Sequence, residues 1–168
     1  NNSLQMKKIT LLLTVLFTLS IFNFNLVYAA GSSGNDKAGS YKEGKKLVYK
    51  AKKLEKKNKI EKAEKLYLKA LSKFETAYKK DKKNPDILNY MGFTSRKTGN
   101  FKEAENYYLK GLDLDPKHNG INEYLGELYV QTNRIDKANE RLAVLKNCNC
   151  DEYSELELII KTRGTKIY

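Results

Sequence analysis

The chain has 168 residues, with 28 lysines against four arginines and a formal net charge of +12. Two prolines and ten glycines leave long uninterrupted stretches, which favours helices over a turn-rich β fold. Tyrosine supplies 12 of the 18 aromatics, which suits a thin helical core whose rings reach from interior to water. The lysine excess has two readings: an AT-rich coding bias, or attraction to an anionic surface. Nucleic acid is disfavoured as a partner, because phosphate and base recognition leans on arginine forks.

In chain order, residues 1–5 precede Met6 and carry no fold information. Residues 6–29 read as a secretory signal peptide. Lys7 and Lys8 form the basic start, Ile9 to Phe22 an apolar run, and Val27-Tyr28-Ala29 a small-residue cleavage site after Ala29. The run is shorter than the roughly 20 residues that span a bilayer. An uncleaved membrane anchor is the alternative; no cysteine follows to carry a lipid. The short basic start and this cleavage pattern look bacterial, so the expected destination is the periplasm. Residues 30–43, rich in Gly, Ser and Asn, are expected to be a flexible linker.

A 34-residue offset then relates 85–118 to 119 onward. Gly92 answers Gly126, Ala104 answers Ala138, Met91 answers Leu125, and Gly99-Asn100 answers Asn133-Arg134. Leu88, Met91, Gly92 and Ser95 recur at helical spacing on one face. Gly92, Ala104, Gly126 and Ala138 are small where paired helices must approach closely, and Pro116 stops a helix. An earlier unit, 44–84, fits two registers seven residues apart, one from Gly44 and one read back from Pro85. Its second helix is therefore expected to be extended, over about Ile60 to Lys80.

These residues and their spacing resemble the tetratricopeptide repeat. The departures from its pattern are Ser95, Gly111 and Asn122, and the missing terminal proline of the last unit. The resemblance implies an all-α, right-handed solenoid of antiparallel helical hairpins. It would hold about three repeats, 44–84, 85–118 and 119–147, plus a C-terminal capping helix within 148–168. The resemblance also implies a concave groove lined by the first helix of each unit. Carried over residue by residue, the groove positions are Val48, Lys52 and Glu55, then Asn89, Phe93 and Arg96, then Glu123, Glu127 and Val130. Phe93 has two readings, a packed ring between hairpins or an open binding hot spot beside Arg96.

Cys148 and Cys150 stand just before the capping helix, in which Asp151 is the expected cap, Tyr153, Leu156, Ile159 and Ile160 the apolar stripe, and Gly164 the end. The cysteine pair is compatible with a disulfide, with soft-metal capture such as Cu(I), or with two independent thiols. Two ligands are too few for structural zinc. The single histidine, His118, reads as a solvated loop residue. Glu103, Glu105 and Asn106 read as a solvated face. No phosphate loop, metalloprotease helix or nucleophile elbow occurs, so no catalytic residue, metal, cofactor or small-molecule substrate is expected and the chain does not read as an enzyme.

Charge is unevenly spread. Residues 36–83 hold 18 lysines and seven acids, and residues 84–168 hold 12 basic and 13 acidic residues. The expected function is a periplasmic scaffold or adaptor that binds a peptide or partner protein in the groove. One alternative is a basic protein docking on an anionic envelope surface, and another is redox or metal handling through the Cys-x-Cys pair.

Overall fold

The computed structural model describes residues 36–165. The expected leader, the residues before it and 30–35 of the expected linker lie outside the described residues. Seven helices and no strand occur among the described residues: α1 (Asp36–Lys56), α2 (Ile60–Lys80), α3 (Pro85–Lys97), α4 (Phe101–Leu114), α5 (Asn119–Gln131), α6 (Ile135–Leu145) and α7 (Asp151–Lys161). None of them is long and apolar enough to cross a membrane. Helices α1/α2, α3/α4 and α5/α6 pair as three hairpins, successive hairpins stack through α2–α3 and α4–α5, and α7 closes on α5 and α6.

The turns inside the hairpins share one device. Each carries a residue in the left-handed region, Asn58, Gly99 or Asn133. These residue types reach positive φ at least cost. Between hairpins the chain restarts its helices by capping. The Asn84 side chain accepts from the backbone N–H groups of Asp86 and Ile87, and Pro85 takes the first helical turn, where its missing N–H costs nothing.

The first hairpin explains its own double register. Ala63, Ala70 and Ala77 are fully buried at intervals of seven on α2, with Tyr67 and Phe74 also seven apart. A seven-residue step is close to two helical turns. The small-and-aromatic pattern is therefore satisfied twice along one long helix of 21 residues. Its partner α1 is also 21 residues long. That corrects the expected linker, whose residues 36–43 are the first two turns of α1. They are held because α2 extends far enough to receive them. A Cβ on Gly44 would lie 2.5 Å from Cε1 of Phe74, and the Tyr41 ring meets Phe74 and Tyr90 edge-on at 6.0 and 5.8 Å.

Two of the three departures from the repeat pattern within the helices have packing reasons. Gly111 leaves room for Ile121, whose Cδ1 would sit 2.4 Å from a Cβ there. Asn122 is fully buried and its amide donates to the carbonyls of Pro116 and His118 at 3.1 and 3.0 Å, while its Oδ1 accepts from Arg141. It thus satisfies loop carbonyls that a large apolar side chain would leave orphaned. Ser95 is buried without a partner for its hydroxyl, and nothing in the structure explains it.

His118 is not a solvated loop residue. Its Nδ1 accepts from the Ile121 N–H at 3.1 Å, capping α5, and its Nε2 lies 3.1 Å from Asp86 at the start of α3. At the C-terminal end the cap position of α7 is Cys150, not Asp151; Asp151 and Glu152 instead place carboxylates in the first turn, against the helix dipole. Cys148 and Cys150 are joined as a disulfide around left-handed Asn149. So small a loop removes little chain entropy from the unfolded state. Leu156 and Ile159 are fully buried, and Gly164, at φ +80, donates back to the Ile159 carbonyl.

Candidate functional site

The first helices of the three hairpins and α7 surround a cleft of about 490 Å³. Its lining is Lys52, Glu55 and Lys56 of α1, Lys97 of α3, Glu123, Tyr124 and Glu127 of α5, and Glu155 of α7. The rim is charged with both signs and the floor is aromatic. Phe93 is buried in that floor, edge-on to Tyr67 at 5.9 Å and tilted against Tyr124 at 5.1 Å. Three cations gather over its ring: Lys52 at 4.8 Å, Arg96 at 5.6 Å and Lys97 at 6.0 Å. The negative ring face offsets part of their desolvation.

Two ion pairs tie the first helices together across the repeats. Lys97 meets Glu55 at 2.8 Å, and the other Glu55 oxygen accepts from the Tyr67 hydroxyl at 2.7 Å. Deeper down, Arg96 Nη2 meets Glu127 Oε2 at 2.5 Å, with both side chains 1% exposed. Arg96 Nη1 also donates to Gln131 Oε1. Arg96 Nε and Glu127 Oε1 find no hydrogen-bond partner among the described residues. Burial pushes the Glu127 carboxyl upward, and the Arg96 guanidinium beside it pulls it back. Lys52 has no ion pair among the described residues, and burial holds its amine below the ordinary lysine range despite the attraction of Glu127.

Four of the nine groove positions carried over from the sequence line the cleft: Lys52, Glu55, Glu123 and Glu127. Of these, Glu123 and Glu127 are themselves buried, and the other five are buried without lining the cleft. Val48 and Phe93 belong to the core of the first two hairpins and Val130 to that of the last two. Arg96 is sealed into its ion pair, and Asn89 is covered where α3 approaches the first turn of α5, its amide nitrogen 2.8 Å from where a Cβ on Gly120 would stand. Phe93 is therefore a packed ring, and the open hot-spot reading fails. Lys56, Lys97 and Tyr124 were missed, although Lys97 and Tyr124 directly follow Arg96 and Glu123 in sequence and widen the same helix faces. Glu155 had no sequence signal, because its role depends on where α7 docks. Of the four small packing positions, Ala104 and Ala138 are fully buried, Gly92 faces Tyr108, and Gly126 faces Leu156 of α7.

Glu123 is nearly enclosed at the α5–α7 contact. Burial, then a hydrogen bond with Glu155, then the Glu127 charge push its carboxyl up to about 10. A carboxyl raised in the folded state contributes its stability below the unfolded value of about 4.3, and loses it as pH rises toward the folded value. Glu123→Gln keeps the shape and cannot ionise. Relative to the variant, wild type should lose melting temperature steadily from pH 5 to pH 9, as thermal scans at several pH values will read. Parallel curves for the two proteins would show that Glu123 is hydrated and ionised throughout.

Residues 85–118, which form α3, α4 and the loop to α5, match the tetratricopeptide repeat family model. The chain carries a tetratricopeptide repeat at these residues. No curated protein matches the sequence. Among solved structures, a tetratricopeptide repeat protein from Parabacteroides merdae is similar over 74% of this chain and 60% of its own, at 18% identity and TM-score 0.51, a likeness of fold. The TPR domain of Arabidopsis OM64 aligns over 74% of this chain and 98% of its own at 15% identity and TM-score 0.46. The Yersinia enterocolitica type III secretion chaperone SycD, solved with a peptide of the translocator YopD, aligns over 71% and 88% at 19% identity and TM-score 0.47. No group of three or more His, Cys, Asp or Glu side chains suited to a metal occurs among the described residues.

Proposed function

We propose that the chain is an exported, periplasmic interaction scaffold that holds a peptide or an element of a partner protein in the cleft between α1, α3, α5 and α7. The observation that carries this reading is Lys52. It stands at the cleft with its amine partly stripped of water, over an aromatic ring and without an ion pair among the described residues. A partner carboxylate or carbonyl placed there would gain a charge-assisted hydrogen bond in a partly dry site. The mixed rim suits a segment that offers donors and acceptors on both sides, with Tyr124 as the apolar contact. The periplasmic address rests on the apolar run and cleavage pattern of residues 6–29.

The test is partner capture from an envelope extract with protein purified from the periplasm. Its N-terminus, sequenced from the same preparation, should begin at Ala30. Lys52→Ala and Tyr124→Ala should each weaken the captured complex by about 1–2 kcal/mol, in the range of interface hot spots. Helicity by circular dichroism should be unchanged. Wild-type affinity in both variants would remove the cleft from the interface, and retention of Lys7 and Lys8 in a membrane fraction would replace export with anchoring.

A further inference from the structure

A second surface lies on the first hairpin, outside the cleft. On α1, Lys42, Lys46, Tyr49, Lys50 and Lys53 follow one another at offsets of four, seven, eight and eleven, so they share a helix face. Two shallow hollows open there. One is lined by Tyr41, Lys42, Lys45, Lys46, Tyr49 and Lys50. The other runs between α1 and α2 and adds Leu47, Lys69 and Lys73. Lys46 and Lys50 belong to both, so the hollows are continuous. Only one carboxylate, Glu43, lines either of them, and it is already paired with Lys73 at 2.6 Å. Among the described residues, Lys42, Lys46, Lys50 and Lys69 have no ion pair. Tyr49 stands 61% exposed at the centre, with the Lys53 amine 4.5 Å above its ring.

We infer that this face docks on an anionic phospholipid surface. Charge complementarity selects the anion: four unpaired lysines and one neutralised acid make a single-sign field. The apolar part of the patch selects the bilayer. Lysine stems lie along a carbon-lined floor while their amines reach outward, and an exposed tyrosine beside them suits the headgroup boundary, where amphipathic rings gather. A rod of nucleic-acid phosphate would use neither the hollows nor Tyr49 in this way, and the patch contains no arginine. Each lysine near an anionic membrane strengthens binding about fivefold at moderate salt, and the effect fades within a Debye length.

The experiment is vesicle co-sedimentation of the full chain, with phosphatidylcholine alone or mixed with about 30% phosphatidylglycerol. The patch variant carries Lys42→Glu, Lys46→Glu, Lys50→Glu and Lys69→Glu. A control carries Lys102→Glu, Lys110→Glu, Lys117→Glu and Lys146→Glu, with the same change in net charge. The N-terminal residues are common to all, so their contribution cancels in the ratios. Wild type should partition more strongly onto the anionic vesicles, and the difference should collapse at about 0.5 M salt. The patch variant should lose that preference by at least about 50-fold, the control by much less, and Tyr49→Ala should weaken binding several-fold at fixed salt. Equal losses in patch and control variants would reduce the effect to net charge and overturn the assignment. So would wild-type partitioning by the patch variant, or tighter binding of a DNA oligonucleotide that depends on the same four lysines.

Discussion

Glu127→Ala should destabilise the protein by about 3–5 kcal/mol, because it leaves the Arg96 guanidinium charged, buried and unpaired. Arginine cannot escape by losing its proton. The remaining contacts of Arg96, one hydrogen bond to Gln131 and the faces of Phe93 and Tyr124, do not replace an anion. The loss is about a fifth or more of the stability of an ordinary domain, and urea denaturation will measure it. The reverse truncation behaves differently. Arg96→Met keeps the apolar stem on Phe93 and strands Glu127, but a carboxyl already pushed upward by burial can take up a proton. Arg96→Met should therefore cost less than Glu127→Ala at neutral pH and less still at pH 5. The double variant Arg96→Met, Glu127→Leu removes both charges together, and its stability should return to within about 1 kcal/mol of wild type or exceed it. If Glu127→Ala unfolds at the same urea concentration as wild type, water reaches the pair and the cleft floor is wet.

The contrast between fold and cleft shows what a sequence of this kind displays. Gly92, Ala104, Gly126 and Ala138 were legible because close helix approach admits only small side chains, and that demand recurs every 34 residues. The extended α2 was legible for a related reason: a heptad of alanines writes the same demand twice. The extension of α1 was not, because Gly39 and Ser40 have the composition of a linker and become helical only where α2 offers a mate. The cleft was half legible. Register places Phe93, Arg96 and Glu127 on the inward faces of their helices, but not how near those helices stand. Here α3 and α5 approach closely enough to seal Arg96 against Glu127, and α7 leans onto α5 and brings Glu155 to the rim. Both depend on tertiary distance, which helical periodicity does not encode. The same holds for His118, whose loop position says nothing of the Asp86 carboxylate 32 residues away.

Two glycine substitutions of the same kind should move stability in opposite directions. A Cβ on Gly92 would fall 2.4 Å from Cε1 and 2.6 Å from Cδ1 of Tyr108. That ring is fully buried, so it has no solvent into which to swing. Leucine at 92 therefore has to part α3 from α4. Overpacking of this kind costs typically about 1–3 kcal/mol, and more where backbone has to move. The gain from replacing a mid-helix glycine offsets about 1 kcal/mol of that. Net destabilisation by Gly92→Leu should nonetheless be plain in thermal melts, with earlier loss of helicity at 222 nm. Gly39 is the control. It lies in α1 with nothing within 4 Å of where a Cβ would be. Gly39→Ala should gain about 0.5–1 kcal/mol, because only the propensity and unfolded-state terms remain. A Gly92→Leu protein that melts with wild type would mean that α3 and α4 do not meet at Tyr108. A Gly39→Ala protein that melts lower would mean that the first two turns of α1 are not helical in solution.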